Sequence, residues 1–255
     1  MEKNKVEDSI RNLIDIFFNA GKLSLEIRSK GLVKHIKKDK TPVTNGDIEV
    51  NNIILNSLKK ITPDIPIVSE ETAENKNLNL ETFWLVDPID GTYDYIHNKD
   101  EFTLNAGLII NKEAVAGIIY APAKNRMFYS YGNNLSYELK DGKEEILNNK
   151  KIDKNNIKAV SYSNTLKAEI TQIHEKLNVK EYVKMKSSLK FCVIATGEYQ
   201  IYVAEPRAHE WDIAAGHAIL KNSSGVITDF DGNDIQYGKK GFKNPSLILK
   251  SLEII

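Results

Sequence analysis

Two helices are predicted by apolar residues that recur at helical spacing near the start of the chain. The first helix is amphipathic and is expected to end near Gly21 or one turn beyond it. The second lies in the segment GDIEVNNIILNSLKKITPD and has about four turns, with Asn45 as its cap and Pro63 as its stop. The apolar faces are Val6, Ile10, Leu13, Ile14, Phe17 and Phe18 in the first helix, and Ile48, Ile54, Leu55, Leu58 and Ile61 in the second.

Short apolar runs follow these helices and are mostly bounded by Gly, Asn, Asp or Pro. Such runs predict strands, and their close succession predicts one sheet that is partly built from hairpins. The runs are 65–68, 83–86, 102–110, 114–120 and 127–131.

A polar bridge over 141–156, rich in Lys and Asn, predicts the boundary between two lobes, 1–150 and 151–255, of one compact unit. Beyond the bridge, strands and helices alternate, which predicts strands sandwiched between helices in an α/β fold. The predicted strands are 158–161, 179–183, 199–203, a short one around Ile227, and 247–250. The predicted helices are 167–177, 189–197 and 212–221.

Composition is that of an ordinary globular protein, with 41% hydrophobic and 27% charged residues among 255. Lys and Arg (35) balance Asp and Glu (35), so the chain has no global positive field for nucleic acid or an anionic membrane. Its one cysteine, Cys192, excludes an internal disulfide and is expected in the core. Without a secretory signal or an apolar run of roughly 18 residues, the expected location is the cytoplasm.

The segment FWLVDPIDGT is an apolar strand that leads directly into two carboxylates, a glycine and a hydroxyl. Asp87 and Asp90 are able to face one point from a tight turn, and carboxylate oxygens suit Mg²⁺. Gly91 allows close approach of a ligand, and a helix that begins near Thr92 favours a phosphate. A simple turn without chemistry explains this segment about as well.

Three further acidic positions are weak signals when each is taken alone. Glu70 and Glu71 close the strand before Asp87, so a cluster of carboxylates that requires cations forms if the two strands are neighbours. A solvated loop is the simpler alternative for this pair. Asp212 opens the helix 212–221, where capping alone explains it. Asp47 lies in a polar loop, 39–47, before the second helix.

Taken together and in this order, the segments TPVTNGD, SEE, WLVDPIDGT and EWDIAAG resemble the inositol monophosphatase superfamily of lithium-sensitive, Mg²⁺-dependent phosphatases. The resemblance extends over nearly the whole chain from about residue 5. Within the superfamily, the segment SSLKFC at 187–192 is most similar to bacterial 3'(2'),5'-bisphosphate nucleotidases of the CysQ type. The fold that this implies is a layered α/β/α/β/α sandwich.

The resemblance also implies roles for individual residues. The implied ligands of a first Mg²⁺ are Glu70, Asp87 and the carbonyl of Ile89. The implied ligands of a second are Asp87, Asp90 and Asp212. The implied site takes two or three ions. Thr92, hydrogen-bonded to Asp47, orients and helps deprotonate the attacking water. The N-terminal lobe thus carries most metal ligands, and the C-terminal lobe adds Asp212 and substrate contacts. The implied substrate contacts are Glu70, Ile89, Asp90, Gly91, Thr92, Lys190 and Asp212.

Several departures from the family pattern lie near these positions. Gly46 and Ile213 are mild changes, whereas Met185 and Lys186 replace a glycine that commonly precedes the SSLK segment. Contacts to the nucleotide end of a substrate are therefore less defined than the metal contacts. Lys190 is a candidate for a substrate phosphate, and a solvated lysine is the alternative.

The implied reaction is hydrolysis of the 3'-phosphate of 3'-phosphoadenosine 5'-phosphate to AMP and phosphate. Inositol monophosphatase or fructose-1,6-bisphosphatase activity on the same metal site is the first alternative, and a non-catalytic metal- or phosphate-binding protein is the second. A haloacid-dehalogenase mechanism is disfavoured because two residues separate Asp87 from Asp90, where that group has one. The expected partner is a small phosphorylated nucleotide rather than nucleic acid. The expected state is a monomer or homodimer without a transmembrane segment, and peripheral membrane attachment is implied by resemblance alone.

Overall fold

The N-terminal part of the chain is built from a helical pair and a small hairpin. The computed structural model describes residues 2–37, 40–73, 80–147 and 153–251. Helices α1 (Lys3–Lys30) and α2 (Asn45–Ile61) pack side by side. Between them, strands β1 (Lys34–Ile36) and β2 (Pro42–Thr44) form an antiparallel hairpin. The hairpin delivers the chain to the start of α2.

A seven-stranded sheet follows, in which the strands lie in chain order from β3 to β9. Strand β3 is parallel to β4, and every later neighbour is antiparallel. A short helix, α3 (Thr92–Ile96), separates β4 from β5. The strands are β3 (Ile67–Ser69), β4 (Thr82–Asp90), β5 (Thr103–Ile110), β6 (Glu113–Ala121), β7 (Arg126–Gly132), β8 (Leu135–Lys140) and β9 (Lys143–Ile146).

The C-terminal part forms a second, five-stranded sheet with the order β11-β10-β12-β14-β13. Strand β10 is parallel to both of its neighbours, whereas β14 is antiparallel to β12 and β13. Its strands are β10 (Ile157–Ser161), β11 (Val179–Lys184), β12 (Ile201–Ala204), β13 (Gly225–Thr228) and β14 (Leu247–Ser251). Its helices are α4 (Ala168–Lys176), α5 (Leu189–Ala195) and α6 (Glu210–Lys221).

Three apolar cores join these elements into five layers. One core lies between the α1–α2 pair and the seven-stranded sheet, and a second lies between the two sheets and contains α5 and α6. The third lies between the five-stranded sheet and α4. The predicted α/β/α/β/α sandwich is therefore confirmed. Cys192 is fully buried in the central core, and no helix of the described residues is long and apolar enough to cross a membrane.

Several local predictions need correction. Helix α1 continues past Gly21 to Lys30. Gly21 does not end the helix: it leaves room for the Tyr120 ring, which would lie 2.4 Å from a Cβ at this position. The cap of α2 is Thr44 and not Asn45, whose side chain instead accepts a hydrogen bond from the Val33 amide.

Two further predictions were wrong in part. Ile48 is 43% exposed, because the buried face of α2 is centred on Val50, Ile54 and Leu58. The polar bridge also contains the exposed edge strand β9, which pairs with β8. The lobe boundary placed at residue 150 lies outside the described residues.

Helix α6 lies unusually close to the seven-stranded sheet, because two glycines face it. Gly107 and Gly117 are cross-strand partners in β5 and β6. A Cβ on Gly117 would lie 2.6 Å from Ala215 Cα, and one on Gly107 would lie 2.7 Å from the Ala215 amide nitrogen. Both atoms belong to the helix backbone, so neither is able to rotate away.

We expect Gly117→Ala to displace α6 and to destabilise the protein. Overpacking of this kind costs about 1–3 kcal/mol, which corresponds to a loss of roughly 5 °C in melting temperature for a chain of this size. The control is Gly142→Ala, where a Cβ meets nothing within 4 Å and only the φ of +75° opposes the change. Calorimetry that finds equal melting temperatures for Gly117→Ala and wild type would contradict the proposed contact.

Candidate metal centre

Two neighbouring strands of the seven-stranded sheet end in carboxylates at the same edge. Glu70 directly follows β3, and its amide donates to the carbonyl of Val86 in the parallel neighbour β4, at 3.0 Å. Strand β4 pairs regularly with β5 up to Asp87, and pairing resumes at Asp90 after an irregularity. At this irregular end of β4, Asp87 lies close to Glu70, and the charge of Asp90 acts on Asp87.

Asp212 reaches the same point from the other half of the chain. It is the third residue of α6, and its Oδ2 accepts a hydrogen bond from the His209 amide at 2.7 Å, which caps the helix. One carboxylate oxygen from each of Glu70, Asp87 and Asp212 lies within 4.8 Å of the others. The capping interpretation of Asp212 and its membership of an acidic cluster are therefore both correct.

Ser188 connects Asp90 to the helix that carries Asp212. Its hydroxyl oxygen lies 2.6 Å from Asp90 Oδ2 and 2.6 Å from the main-chain oxygen of Asp212. The side chain of Asn105 donates to the same hydroxyl at 3.3 Å. In the sequence, Ser188 stands out only as part of the segment SSLKFC, because a serine that links two distant segments has no local signal.

Burial and mutual repulsion make ionisation of the clustered carboxyls unfavourable. Burial, followed by the charges of Glu70, Asp90 and Asp212, raises the pKa of Asp87 well above its ordinary value. Burial and the charges of Asp90 and Glu70 raise the pKa of Asp212 in the same way. Asp87 is 1% exposed, and its Oδ1 has no hydrogen-bond partner within the described residues. Such a donor set fits a hard divalent cation, which neutralises the charges and satisfies the unpartnered oxygen.

A hydroxyl and a carboxylate lie beside this cluster. The Thr92 Oγ1 lies 3.3 Å from Asp47 Oδ1 and 3.2 Å from the carbonyl oxygen of Ile89. The other oxygen of Asp47 accepts bonds from the Thr44 amide at 2.7 Å and the Thr44 hydroxyl at 2.6 Å. Because Thr44 fixes one side of Asp47, the free edge of this carboxylate is directed at Thr92. Burial raises the pKa of Asp47.

Comparison with known proteins agrees with this geometry. The sequence model of the Inositol monophosphatase family matches residues 6–253. The 3'(2'),5'-bisphosphate nucleotidase CysQ of Buchnera aphidicola is 38% identical over 212 residues, which are 79% of this chain and 76% of the relative. The protein of the same name from Escherichia coli K12 is 33% identical, over 82% of this chain and 85% of its own.

The chain belongs to the inositol monophosphatase family.

A solved structure of the inositol monophosphatase family has the same fold. CysQ from Bacteroides thetaiotaomicron superposes with a TM-score of 0.80 at 26% identity, over 96% of this chain and 97% of that one. The haloacid-dehalogenase alternative is therefore set aside, because nearly the whole chain matches the inositol monophosphatase family instead.

Lys37 is a cationic neighbour of the cluster that sequence analysis missed. Its Nζ lies 3.1 Å from Glu70 Oε1 and 2.8 Å from Glu71 Oε1. Burial is the main reason that the pKa of Glu71 rises to about 7, and Lys37 opposes that rise. The residue follows the exposed strand β1 in a polar stretch that suggested only a solvated loop. Its pairing with both glutamates shows that Glu71 contacts a cation in place of water.

A cleft of about 230 Å³ opens beside Asp90 and Asp212 and continues towards β12. Gly91 lines it, and its φ of +93° places it in the left-handed region that favours glycine. Lys190 also lines it, and its Nζ donates to the carbonyl of Ser187. Lys190 is partly buried, and burial lowers its pKa. Of the predicted substrate contacts, Asp90, Gly91, Lys190 and Asp212 line this cleft.

Proposed function

We propose that this protein is a Mg²⁺-dependent phosphatase that hydrolyses the 3'-phosphate of 3'-phosphoadenosine 5'-phosphate, giving AMP and phosphate. The observation that carries the proposal is the fully buried Asp87, surrounded by other carboxylates and adjacent to the Thr92–Asp47 pair. The nucleotide is proposed as the substrate because the similar CysQ proteins are named 3'(2'),5'-bisphosphate nucleotidases.

The proposed ligands divide into two overlapping sets around Asp87. Glu70, Asp87 and the carbonyl of Ile89 would hold one Mg²⁺, and Asp87, Asp90 and Asp212 would hold another, in a site for two or three ions. Bound ions supply positive charge for the phosphate oxygens and lower the pKa of the attacking water. The 1–150 lobe would thus provide most ligands, and the 151–255 lobe would provide Asp212 and the cleft.

Thr92 and Asp47 are proposed to move the proton of the attacking water. The Thr92 hydroxyl donates to Asp47, which leaves a lone pair of its oxygen to accept a proton from water. Asp47 is 1% exposed and its pKa is raised by burial, so it is a stronger base than an ordinary aspartate. Thr44 keeps Asp47 in position throughout, through its two hydrogen bonds.

The substrate is proposed to lie between the carboxylate cluster and the cleft. Its reacting phosphate would occupy the mouth of the carboxylate cluster, and the remainder of the nucleotide would extend along the cleft. The proposed substrate contacts are Glu70, Ile89, Asp90, Gly91, Thr92, Lys190 and Asp212.

Phosphate release by the purified protein tests the proposal directly. The nucleotide is compared with inositol 1-phosphate and fructose 1,6-bisphosphate in Mg²⁺, with a chelator and the variant Asp90→Asn as controls. Preference for the nucleotide, lost in both controls, is expected. Preference for a sugar or inositol phosphate would overturn the substrate and keep the metal mechanism. Absence of phosphate release from all three compounds would overturn the catalytic function.

Metal binding is expected to stabilise the protein more as the pH rises. The raised pKa values of the proposed ligands Asp87 and Asp212 mean that the metal-free folded chain retains protons that the unfolded chain releases near pH 4. Each such proton costs about 1.4 kcal/mol of stability per pH unit, up to the raised pKa. Mg²⁺ replaces these protons. The difference between melting temperatures in Mg²⁺ and in chelator should therefore widen from pH 5 to pH 7.5.

The difference between the two conditions is the informative quantity, because buried His217 responds to pH in the opposite direction. Burial lowers the pKa of His217 to about 3, so its contribution to stability increases as the pH rises towards its unfolded value. That contribution is the same with and without Mg²⁺ and cancels. A difference that is constant or shrinks with pH would contradict the carboxylate assignment.

A further inference from the structure

The cleft beside the carboxylate cluster is lined by three cations, whose surroundings differ. Lys186 is held by partners of its own: its Nζ lies 3.3 Å from Asp94 Oδ1, which Lys99 also contacts at 3.7 Å, and 4.2 Å from the centre of the Tyr93 ring. Lys190 lies in the field of Asp90 and Asp212, at the end of the cleft nearest the cluster. Arg207 is the third cation.

Arg207 makes no ion pair with the residues that the structure describes. Its guanidinium carbon lies 3.8 Å from the centre of the Tyr162 ring, and the group also lies close to the buried Tyr202. Stacking on an aromatic face holds the planar guanidinium in one orientation and leaves its N–H edges available. The side chain itself is exposed at the rim of the cleft.

The tyrosine beneath Arg207 is firmly held. The Tyr162 hydroxyl donates to Glu205 Oε1 at 2.5 Å, and Glu205 is in turn paired with Lys167 at 2.9 Å. Both neighbours contact Oε1 of Glu205, whereas its buried Oε2 has no hydrogen-bond partner within the described residues. Glu205 forms no ion pair with Arg207 there. The guanidinium is therefore positioned before any ligand arrives, which reduces the entropy lost on binding.

The charges in the cleft indicate which chemical group suits Arg207. The chain has zero net charge, so an anion with two phosphates needs local cations at both of its ends. Metal ions held at the carboxylates would serve the reacting phosphate. Lys190 lies between this end and Arg207, because its surroundings include Asp90 and Asp212 as well as Arg207 and the Tyr202 ring. Among the three lining cations, Arg207 is the one without a carboxylate partner or main-chain acceptor in the described residues, whereas Lys186 contacts Asp94 and Lys190 donates to the Ser187 carbonyl. Its N–H groups match phosphate oxygens in a bidentate arrangement.

We infer that Arg207, stacked on Tyr162, binds the non-reacting 5'-phosphate and gives the enzyme its preference for a nucleoside bisphosphate over a monophosphate. This inference rests on the proposed function and adds to it a residue that determines specificity. Tyr162 acts as a positioning residue for Arg207.

The test compares two substrates that differ only in the 5'-phosphate, adenosine 3',5'-bisphosphate and adenosine 3'-monophosphate. Arg207→Ala should raise KM for the bisphosphate about tenfold, since a charge-assisted hydrogen bond is lost, and should leave kcat unchanged. The kinetics on the monophosphate should not change. Arg207→Lys, which keeps the charge but loses the planar group, should give an intermediate KM.

Arg11→Ala is the matched control. Arg11 also lies over a tyrosine ring, with its guanidinium carbon 5.3 Å from the centre of the Tyr131 ring. It belongs to α1, on the opposite face of the seven-stranded sheet from α6. The control removes the same charge and a contact with a tyrosine ring, together with the ion pair of Arg11 to Glu7 at 2.8 Å. It should change neither substrate's KM. Equal melting temperatures of Arg207→Ala, Arg11→Ala and wild type establish that these exposed substitutions leave the fold intact.

The outcomes separate this inference from the proposed function. If Arg207→Ala keeps the wild-type ratio of kcat/KM between the two nucleotides, or lowers both values equally, the assignment of Arg207 is wrong while the nucleotidase function stands. If the wild-type protein releases phosphate from inositol 1-phosphate but from neither nucleotide, the proposed function is wrong and the inference falls with it.

Discussion

Replacing Asp87 by Asn should abolish phosphate release and, at the same time, make the metal-free protein more resistant to heat. Asp87 is the carboxylate that both proposed metal sets share, so activity should fall by on the order of 10³-fold or more. The gain in stability also follows from the position of Asp87 among other carboxylates. Burial and three or more neighbouring carboxylates oppose the charge of Asp87, and Asn removes that charge without changing the shape of the side chain.

The sign of the stability change depends on pH. Because the folded-state pKa of Asp87 lies above its unfolded value, its ionisation destabilises the folded chain at every pH above about 4. At pH 7.5 in chelator, we expect Asp87→Asn to gain about 1–2 kcal/mol, or roughly 4 °C in melting temperature. The gain should diminish as the pH approaches 4.

Asp64→Asn is the matched control for this change. Asp64 is an exposed aspartate outside the cluster, so its replacement should alter neither activity nor the melting temperature in chelator. A lower melting temperature of Asp87→Asn in chelator at pH 7.5 would show that the carboxylates do not repel one another as the geometry indicates.

Replacing Thr92 by Val should reduce kcat by about 10²–10⁴-fold, the usual range for loss of a group that transfers a proton. Val has nearly the shape of Thr but lacks the hydroxyl that lies between Asp47 Oδ1 and the Ile89 carbonyl. The carboxylate cluster is unchanged. The increase in melting temperature that Mg²⁺ produces should therefore stay as in wild type.

Thr92→Ser keeps the hydroxyl and should recover most of the lost kcat. This pair of variants distinguishes proton transfer from simple packing, because Ser lacks the methyl group and Val retains the bulk. If Thr92→Val weakens the Mg²⁺-dependent stabilisation as strongly as it lowers kcat, then the hydroxyl acts on metal binding and the proposed role is wrong.

Much of the fold could be predicted from the sequence, because its elements have strong local signals. The five early strands and the later alternation of strands and helices follow from short apolar runs bounded by turn residues, and the structure confirms them. The end of β4 was visible only as a candidate site, because a simple turn explained Asp87 and Asp90 about as well until the other segments were considered together with it.

What could not be predicted depends on contacts between distant segments. Gly21 has the local signature of a helix end, yet the Tyr120 ring from the sheet occupies the space beside it. Lys37 and Ser188 are ordinary polar residues in the sequence, and only the folded chain places them against Glu70 and Asp90. The orientation of Arg207 likewise depends on Tyr162, which lies on a different segment of the cleft wall and is not visible as its partner in the sequence.

The close contact between α6 and the glycines of β5 and β6 has a consequence for biosynthesis. A ribosome releases Glu70, Asp87 and Asp90 well before Asp212. Until α6 has emerged and settled against Gly107 and Gly117, the nascent chain presents an open sheet face and an incomplete set of ligands. We therefore expect a complete set of ligands only after synthesis of α6, and a chain truncated before residue 210 would lack Asp212 while it keeps Glu70, Asp87 and Asp90.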